Sequence, residues 1–362
     1  MKRFKNYSLL HHNTFGIDQK CDELIVFETV DDAVTLVREI LDQDAETYSL
    51  LILGGGSNLL LTKDFQGKVL TAAKKFEVEV SAKPEDEGAV FLRCWAGTTF
   101  DDVVAYAVEH GYYGMENLSL IPGECGASAV QNIGAYGVEA KDVITTIEAV
   151  QLSTGKVVTI GAGECGYGYR RSRFKQDWKD KFLITHVTYR LSHQFVPHLD
   201  YGNIRQVMKD RCIAEEELTG QSLRDIIIDI RRAKLPEPSE LGNAGSFFMN
   251  PIVDKTVLDS VRERFPDVRY FEVAEQTLSL SEDALRGCRD QKRYKIPAGW
   301  MIDRCGWKGR RLGKVGVYEK QALVLVNYGG ATGADVVALM HRIQEDVYSK
   351  FGIHIYPEVN IK

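Results

Sequence analysis

The chain has 362 residues, of which 44% are hydrophobic and 27% charged, an ordinary composition for a globular protein of two or three domains. Its formal net charge of −6 argues against a general nucleic-acid binder, because basic side chains supply most of the affinity for phosphate, and leaves only a local basic pocket. Seven cysteines without a CxxC pair fit free thiols in a reducing compartment better than a disulfide framework or a zinc site.

The opening segment MKRFKNYSLLHHNTFG has neither an apolar run of signal-peptide length nor a small-residue cleavage site, and no later segment is apolar for long enough to span a membrane. A cytoplasmic chain without membrane insertion is expected. Residues 23–28 read as a strand, 31–43 as an amphipathic helix, and 50–53 as a buried strand running into GGGSN at Gly54 to Asn58. That glycine run follows a β-α-β start, yet Leu59 stands where a dinucleotide fingerprint has its third glycine, and no Gly-Lys-Ser/Thr follows. A tight turn and a backbone cradle for a ligand both remain open. Residues 68–80 and 89–95 read as strands around a charged turn at 83–88. Thr99 opens a helix with a capping-box-like Asp102, and Gly111 ends it.

Residues 121–137, IPGECGASAVQNIGAYG, hold four glycines and one acid. With so few side chains in the way, backbone N–H groups can approach a ligand closely. The stretch reads as a ligand cradle or as a long buried loop, and two glycine runs could hold the two ends of one extended dinucleotide. Residues 146–152 and 156–160 form a hairpin. In GYGYRRSRFK, 166–175, positive charges among aromatics read as a solvated basic edge or as a carboxylate clamp. Residues 182–191 form another strand, and LDYGNI at 199–204 reads as a strand end and turn exposing Tyr201. A helix over 222–234 ends at LPEP, the best linker in the chain, so a boundary falls near residue 236. Beyond it come the loop GNAGSFFMNP, a helix over 254–265, a polar insertion reaching Lys295, a strand over 322–327, a helix capped by Thr332 and Asp335 and ended by Gly352, and a last strand, IYPEVN.

NTFG, LGGGSN, IPGECGASAVQNIGAYG, GYGYRRSRFK, KLPEP, GNAGSFFMNP, AGWMID, QALVLVN and PEV occur in this order across nearly the whole chain. In that order they resemble the UDP-N-acetylenolpyruvoylglucosamine reductases of bacterial peptidoglycan synthesis, in the longer branch whose members carry a substrate-closing tyrosine loop. The resemblance implies an α+β chain with an FAD-binding fold of the vanillyl-alcohol-oxidase (PCMH) type in two lobes, residues 1–75 with 353–362 and residues 76–235, and a smaller α/β substrate-binding domain over 236–352. The substrate loop would lie near 199–204, and the last strand would return to the N-terminal sheet. Three departures stand out: Met249 replaces a frequent lysine or arginine, Ser128-Ala129 replaces an alanine-proline pair, and the stretch 270–295 is long.

The implied activity is NADPH-dependent reduction of the enolpyruvyl double bond by way of FAD. By resemblance, Ser246 donates the proton, Arg170 holds the carboxylate on which charge develops, and Glu358 works with Arg170, either as a protonated donor or as the group that fixes the arginine. Taken alone, Ser246 reads as a cap or loop hydroxyl and Glu358 as an exposed terminal acid. The FAD residues implied are Gly54, Gly55, Gly56, Ser57, Asn58, Ile121, Pro122, Gly123, Gly126, Ala127, Ser128, Gly134, Tyr136, Gly137 and Ile184. Tyr136, Tyr201, Lys234, Asn250 and Gln321 are implied for a nucleotide-sugar substrate, with no metal, and a monomer is expected. Another FAD-dependent oxidase of the same fold and a non-catalytic nucleotide-sugar sensor are the competing readings.

Overall fold

The computed structural model describes residues 1–42, 49–273 and 292–362. They gather into two compact units, one of Met1–Tyr7, Lys20–Gly56 and Phe65–Ala233, the other of Ser8–Gln19, Ser57–Asp64 and Lys234–Lys362.

In the first unit, Lys20–Phe27 buries Cys21, Leu24, Ile25 and Phe27 and pairs in parallel with Phe65–Ala72, which pairs in parallel with Ser49–Ile52. The crossover is the helix Val30–Leu41. Thr29 caps it by accepting from Asp32 N, two acids occupy its first turn, and Ala33, Leu36 and Val37 are buried. Lys2–Ser8 completes this four-stranded sheet. Five of its seven positions are exposed, so it carries no alternation by which the sequence could announce it.

The second sheet of this unit is antiparallel, with Val157–Gly161, Ile144–Gln151, Phe182–Ser192, Ala89–Trp95 and Val78–Ser81 side by side. One core joins the two sheets, with Ile25, Phe27, Leu36, Leu70, Trp95, Phe100, Ile147 and Val187 among its members. Trp95 marks the seam: its ring meets Phe27 edge-on and its Nε1 donates to Ala73 O at 2.8 Å. A smaller cluster, Leu199, Ile204, Met208, Leu223, Ile226, Ile227 and Ile230, packs the helices Ile204–Asp210 and Gly220–Lys234 together. The predicted strand end at 199–204 is therefore absent, because Leu199 and Ile204 are recruited into helix packing. The predicted capping box at Thr99 is also absent. The helix Phe100–Glu109 does follow Thr99, but Thr99 makes no side-chain cap, and the nearby Asp101 instead accepts from Arg224 Nη1 and Leu120 N, both at 2.6 Å.

The second unit contains the antiparallel sheet Gly242–Ser246, Val324–Asn327, Val315–Val317 and Arg311–Leu312, and a smaller sheet of Ile252–Val253, Arg293–Lys295 and Phe271–Val273. Its long helix, Gly333–Phe351, has both hydrogen bonds of the predicted Thr332/Asp335 capping box, and Gly352 takes the left-handed conformation that ends it. Two N-terminal segments are built into this unit. Asn243 N donates to Thr14 O, Asn327 Nδ2 donates to Phe15 O, and Asn360–Ile361 pairs in parallel with Leu59–Leu60. The terminal strand thus returns to an N-terminal segment, in a two-stranded pair of its own and outside the four-stranded sheet. Most of the 270–295 insertion lies outside the described residues. Among the described residues no helix is long and apolar enough to cross a membrane, and no group of His, Cys, Asp or Glu could hold a metal ion.

Candidate functional site

The two glycine runs meet in the first unit. A Cβ on Gly54 would lie 3.3 Å from the Ala127 Cβ, and one on Gly55 would lie 3.4 Å from Gly123 Cα. A side chain at either glycine would have to push the segment 123–127 away by a few tenths of an ångström, so the bare backbone at 54 and 55 lets the two stretches approach this closely. Gly126 makes the same kind of contact, 2.9 Å from the Ala96 Cβ. Among the described residues the backbone N–H groups of Gly54, Gly55 and Gly123 donate no hydrogen bond. Unpaired backbone donors gathered at a glycine turn are the donor set a diphosphate requires, so these residues fit an FAD cradle.

The stretch 121–137 is not a single loop. It contains the helix Cys125–Gln131, which ends at Asn132 in the left-handed conformation. Within that helix Ser128 turns inward, its hydroxyl shared with Tyr189 Oη and the Cys125 carbonyl at 2.7 Å each, so a cofactor could meet only its backbone. Cys125 is buried. Ile184 is buried in the strand opposite Ala149.

Next comes a hairpin of Gly134–Ala135 against Val138–Glu139, closed by Tyr136 and Gly137, both at positive φ. That combination is the two-residue turn matching strand twist, and it normally excludes a bulky first residue. Tyr136 tolerates it because Asn117 Nδ2 donates to its carbonyl at 2.9 Å and to His198 O at 2.8 Å. The latter bond also brings in the Tyr201 loop. A Cβ on Gly137 would lie 3.3 Å from the Tyr201 Cβ, and one on Gly202 would lie 3.5 Å from the Tyr136 ring. Tyr201 itself is 53% exposed.

A second two-residue turn presents Arg170. Gly168 and Arg171 exchange both backbone hydrogen bonds around Tyr169 and Arg170, and Arg170 has φ 54°. Its Nη2 donates to Gly134 O at 2.9 Å. The basic segment thus divides its labour: Arg173 pairs with Asp177 and lies over the Trp178 ring, as a solvated edge would, while Arg170 reaches the neighbouring hairpin.

Arg231 is the residue the sequence did not single out. Its Nε donates to Leu120 O at 3.2 Å, and its guanidinium faces the Tyr136 phenol. Burial pulls Arg231 below its ordinary value, with Arg170 adding to the effect against Tyr136 and Asp101. Burial likewise raises Tyr136, the neighbouring Tyr201 reinforcing this and Arg231 opposing it. An Arg-Arg pair near a helix end carries no signal of burial, so only the fold could reveal this contact.

The second unit gathers its own set. Gly245, at φ 66°, and a register shift between Asn243 and Ser246 bulge the strand, with Gly245 N bonded to Asn243 Oδ1 at 2.9 Å. The bulge leaves Ser246 exposed at the strand end while Phe247 and Phe248 are buried. Glu358 N donates to Phe247 O at 2.8 Å, and Asn58 Nδ2 donates to Glu358 O at 3.4 Å. The terminal acid is therefore half-buried beside the serine segment. Asn250 Oδ1 accepts from Ala298 N at 2.9 Å, and a Cβ on the next residue, Gly299, would lie 3.3 Å from Gln321 Oε1, so these two polar residues flank one helix start. Lys234 is exposed at the end of its helix, and the exposed Met249 donates its N–H to Tyr356 O.

Residues 237–362 match the C-terminal domain of UDP-N-acetylenolpyruvoylglucosamine reductase, and residues 22–161 match an FAD binding domain. The chain is 46% identical over 359 residues to the UDP-N-acetylenolpyruvoylglucosamine reductase of Bacteroides fragilis strain YCH46, covering 98% of this chain and 99% of that protein. It is 42% identical over 356 residues to the enzyme of the same name from Burkholderia ambifaria strain MC40-6, covering 98% and 95%. Among solved structures, that of the Thermus caldophilus UDP-N-acetylenolpyruvylglucosamine reductase is similar in fold, with a TM-score of 0.63 at 21% identity over 99% of this chain and 98% of that one.

Proposed function

Because this chain belongs to the UDP-N-acetylenolpyruvoylglucosamine reductase family, we propose that Arg170, Ser246 and Glu358 carry its reaction, with Tyr136, Tyr201, Lys234, Asn250 and Gln321 binding the substrate. The reaction is the NADPH-dependent reduction of the enolpyruvyl group of UDP-N-acetylenolpyruvoylglucosamine to UDP-N-acetylmuramate in peptidoglycan synthesis. FAD, when bound, carries the hydride from NADPH to the double bond. The protein's part is to hold the substrate, balance the charge that develops on its carboxylate, and deliver one proton.

The observation that most supports the residue assignment is the hydrogen bond from Glu358 N to Phe247 O, which sets the terminal acid beside the serine segment. Ser246 delivers the proton to the carbon next to the carboxylate. A hydroxyl is a weak acid, but the carbon that receives the proton is strongly basic, so placement matters more than acidity. Arg170, turned toward Gly134 by its strained turn, offers a planar guanidinium for the carboxylate, and Glu358 works with it on the same developing charge. Tyr201, beside the substrate-facing end of Tyr136, closes over the diphosphate together with Lys234.

As a functional division, residues 1–75 and 76–235 hold FAD through Gly54, Gly55, Gly56, Ser57, Asn58 and the cradle at 121–137, residues 236–352 bind substrate, and residues 353–362 supply Glu358. We also assign the chain a cytoplasmic location, where NADPH and nucleotide sugars reside, as a monomer, and through the wall precursor a part in cell shape and division. Incubating purified protein with FAD, NADPH and UDP-N-acetylenolpyruvoylglucosamine, and following NADPH absorbance with mass spectrometry of the product, tests the reading. NADPH consumed without UDP-N-acetylmuramate would refute the substrate assignment.

A further inference from the structure

Glu124 is the one acid in the stretch 121–137, and the reaction has no use for it. It is 5% exposed, it precedes the helix Cys125–Gln131 without capping it, and its Oε1 has no hydrogen-bond partner among the described residues. A Cβ on Gly54 would lie 3.5 Å from its Oε2, and one on Gly55 would lie 3.7 Å from its Oε1. The carboxyl therefore lies against the two glycines whose N–H groups are unpaired.

The remaining neighbours do little to fix its charge. Its backbone bridges Thr99, which is neutral, and Ala127 brings no charge. Among the described residues the charged group acting on it is Lys74, which follows the strand Phe65–Ala72 and favours the ionised form. Burial outweighs Lys74 and pushes the carboxyl up to about 7. Glu124 thus changes charge close to neutrality, against the turn at Gly54–Gly55.

We propose that Glu124 is a proton-linked control on cofactor retention: neutral, it lets the turn at Gly54–Gly55 receive the FAD diphosphate, and ionised, it repels it. The inference rests on the reading of this turn as part of the FAD cradle. Linkage fixes the sign. Bound diphosphate disfavours the ionised carboxyl, so binding raises its pKa and the dissociation constant climbs with pH above the value of the free protein.

The test is fluorescence titration of FAD-free protein with FAD from about pH 6 to about pH 8.5, on the wild type and Glu124→Gln. The wild type should lose affinity by about tenfold or more across this range, and Glu124→Gln by less than about twofold. FAD bound with the same profile in both proteins, or with a flat wild-type profile, would overturn the inference alone. Absence of FAD binding at every pH in both would overturn the cradle reading with it. Should Glu124→Gln fail to fold, infrared titration of the wild-type carboxylic acid band with and without FAD decides the matter, since a midpoint that FAD does not raise excludes the coupling.

Discussion

Asn132 holds the two strained turns of the first unit together, and replacing it by alanine should show how much that costs. It is fully buried in the left-handed conformation, its Nδ2 donates to Gly168 O at 2.8 Å and to Glu139 Oε2 at 3.0 Å, and its Oδ1 accepts from Lys141 N at 3.0 Å. Gly168 starts the turn that presents Arg170, and Glu139 ends the hairpin that presents Tyr136. In Asn132→Ala three hydrogen bonds disappear, at about 1 kcal/mol each, although Gly168 O keeps its bond from Arg171 N. The left-handed backbone adds about 1 kcal/mol for alanine, giving a loss of about 3 to 5 kcal/mol. Asn132→Gly should lose about 1 kcal/mol less, because glycine removes only the backbone contribution. Urea unfolding of both variants measures these losses, and steady-state kinetics should show kcat/KM for the enolpyruvyl substrate down by roughly 10- to 100-fold as Arg170 and Tyr136 lose their common anchor. A stability loss below about 1 kcal/mol for Asn132→Ala, or equal losses for alanine and glycine, would refute the reasoning.

Ser246→Ala removes only an exposed hydroxyl, so unfolding should shift by less than about 0.5 kcal/mol, while turnover of the enolpyruvyl substrate falls by roughly 10²- to 10⁴-fold. NADPH should still bleach the flavin of that variant at the wild-type rate in stopped flow, and loss of bleaching would make the serine structural. Tyr201→Phe should mainly raise KM for the sugar nucleotide, and an unchanged KM would place that loop away from the substrate. In FAD-free protein, Glu124 keeps a proton in the folded state that the unfolded chain releases near 4.5, so its contribution to stability falls by about 3 kcal/mol as pH rises from 4.5 to about 7 and is level above that. Glu124→Gln should therefore be more stable than wild type above pH 7 by urea unfolding, and equal pH profiles would refute the burial argument.

Elements whose signals are local were legible in the sequence. The helix Gly333–Phe351 announces itself by Thr332, Asp335, an apolar stripe and Gly352, and each does in the structure what its chemistry suggests. The capping box expected from Thr99 and Asp102 uses the same local grammar and fails: the helix Phe100–Glu109 follows Thr99, but Thr99 makes no side-chain cap. Lys2–Ser8 was hidden because an edge strand exposed over most of its length has no pattern to show. Within 121–137, small residues suggested a ligand cradle or a long buried loop and hid a helix, yet alanine and glycine also allow the close packing that Cys125–Gln131 makes against Ala96. Arg231 needed the fold, since nothing about an arginine in a helix tells that it will face a half-buried tyrosine.

The distribution of backbone strain gives an independent reason to locate binding chemistry in the first unit around this cluster. Among the described residues, the non-glycine residues at positive φ are Asn6, Leu120, Asn132, Tyr136, Arg170, Asp180 and Cys212. Four of these are joined by side-chain contacts: the Leu120 carbonyl accepts from Arg231, Arg231 faces Tyr136, Arg170 bonds Gly134 two residues before Tyr136, and Asn132 bonds Gly168 two residues before Arg170. Glycine at Asn132, Tyr136 or Arg170 would relieve about 1 kcal/mol of backbone strain but would remove the amide, the tyrosine ring or the guanidinium that the position presents. The glycine cradle at 54–56 and 123 makes the opposite choice, giving up side chains to bring backbone close. Under the proposed function, a carrier held by its diphosphate needs bare backbone and a substrate whose charge changes during reaction needs side chains held rigidly, so the two kinds of turn would divide the first unit by what each has to bind.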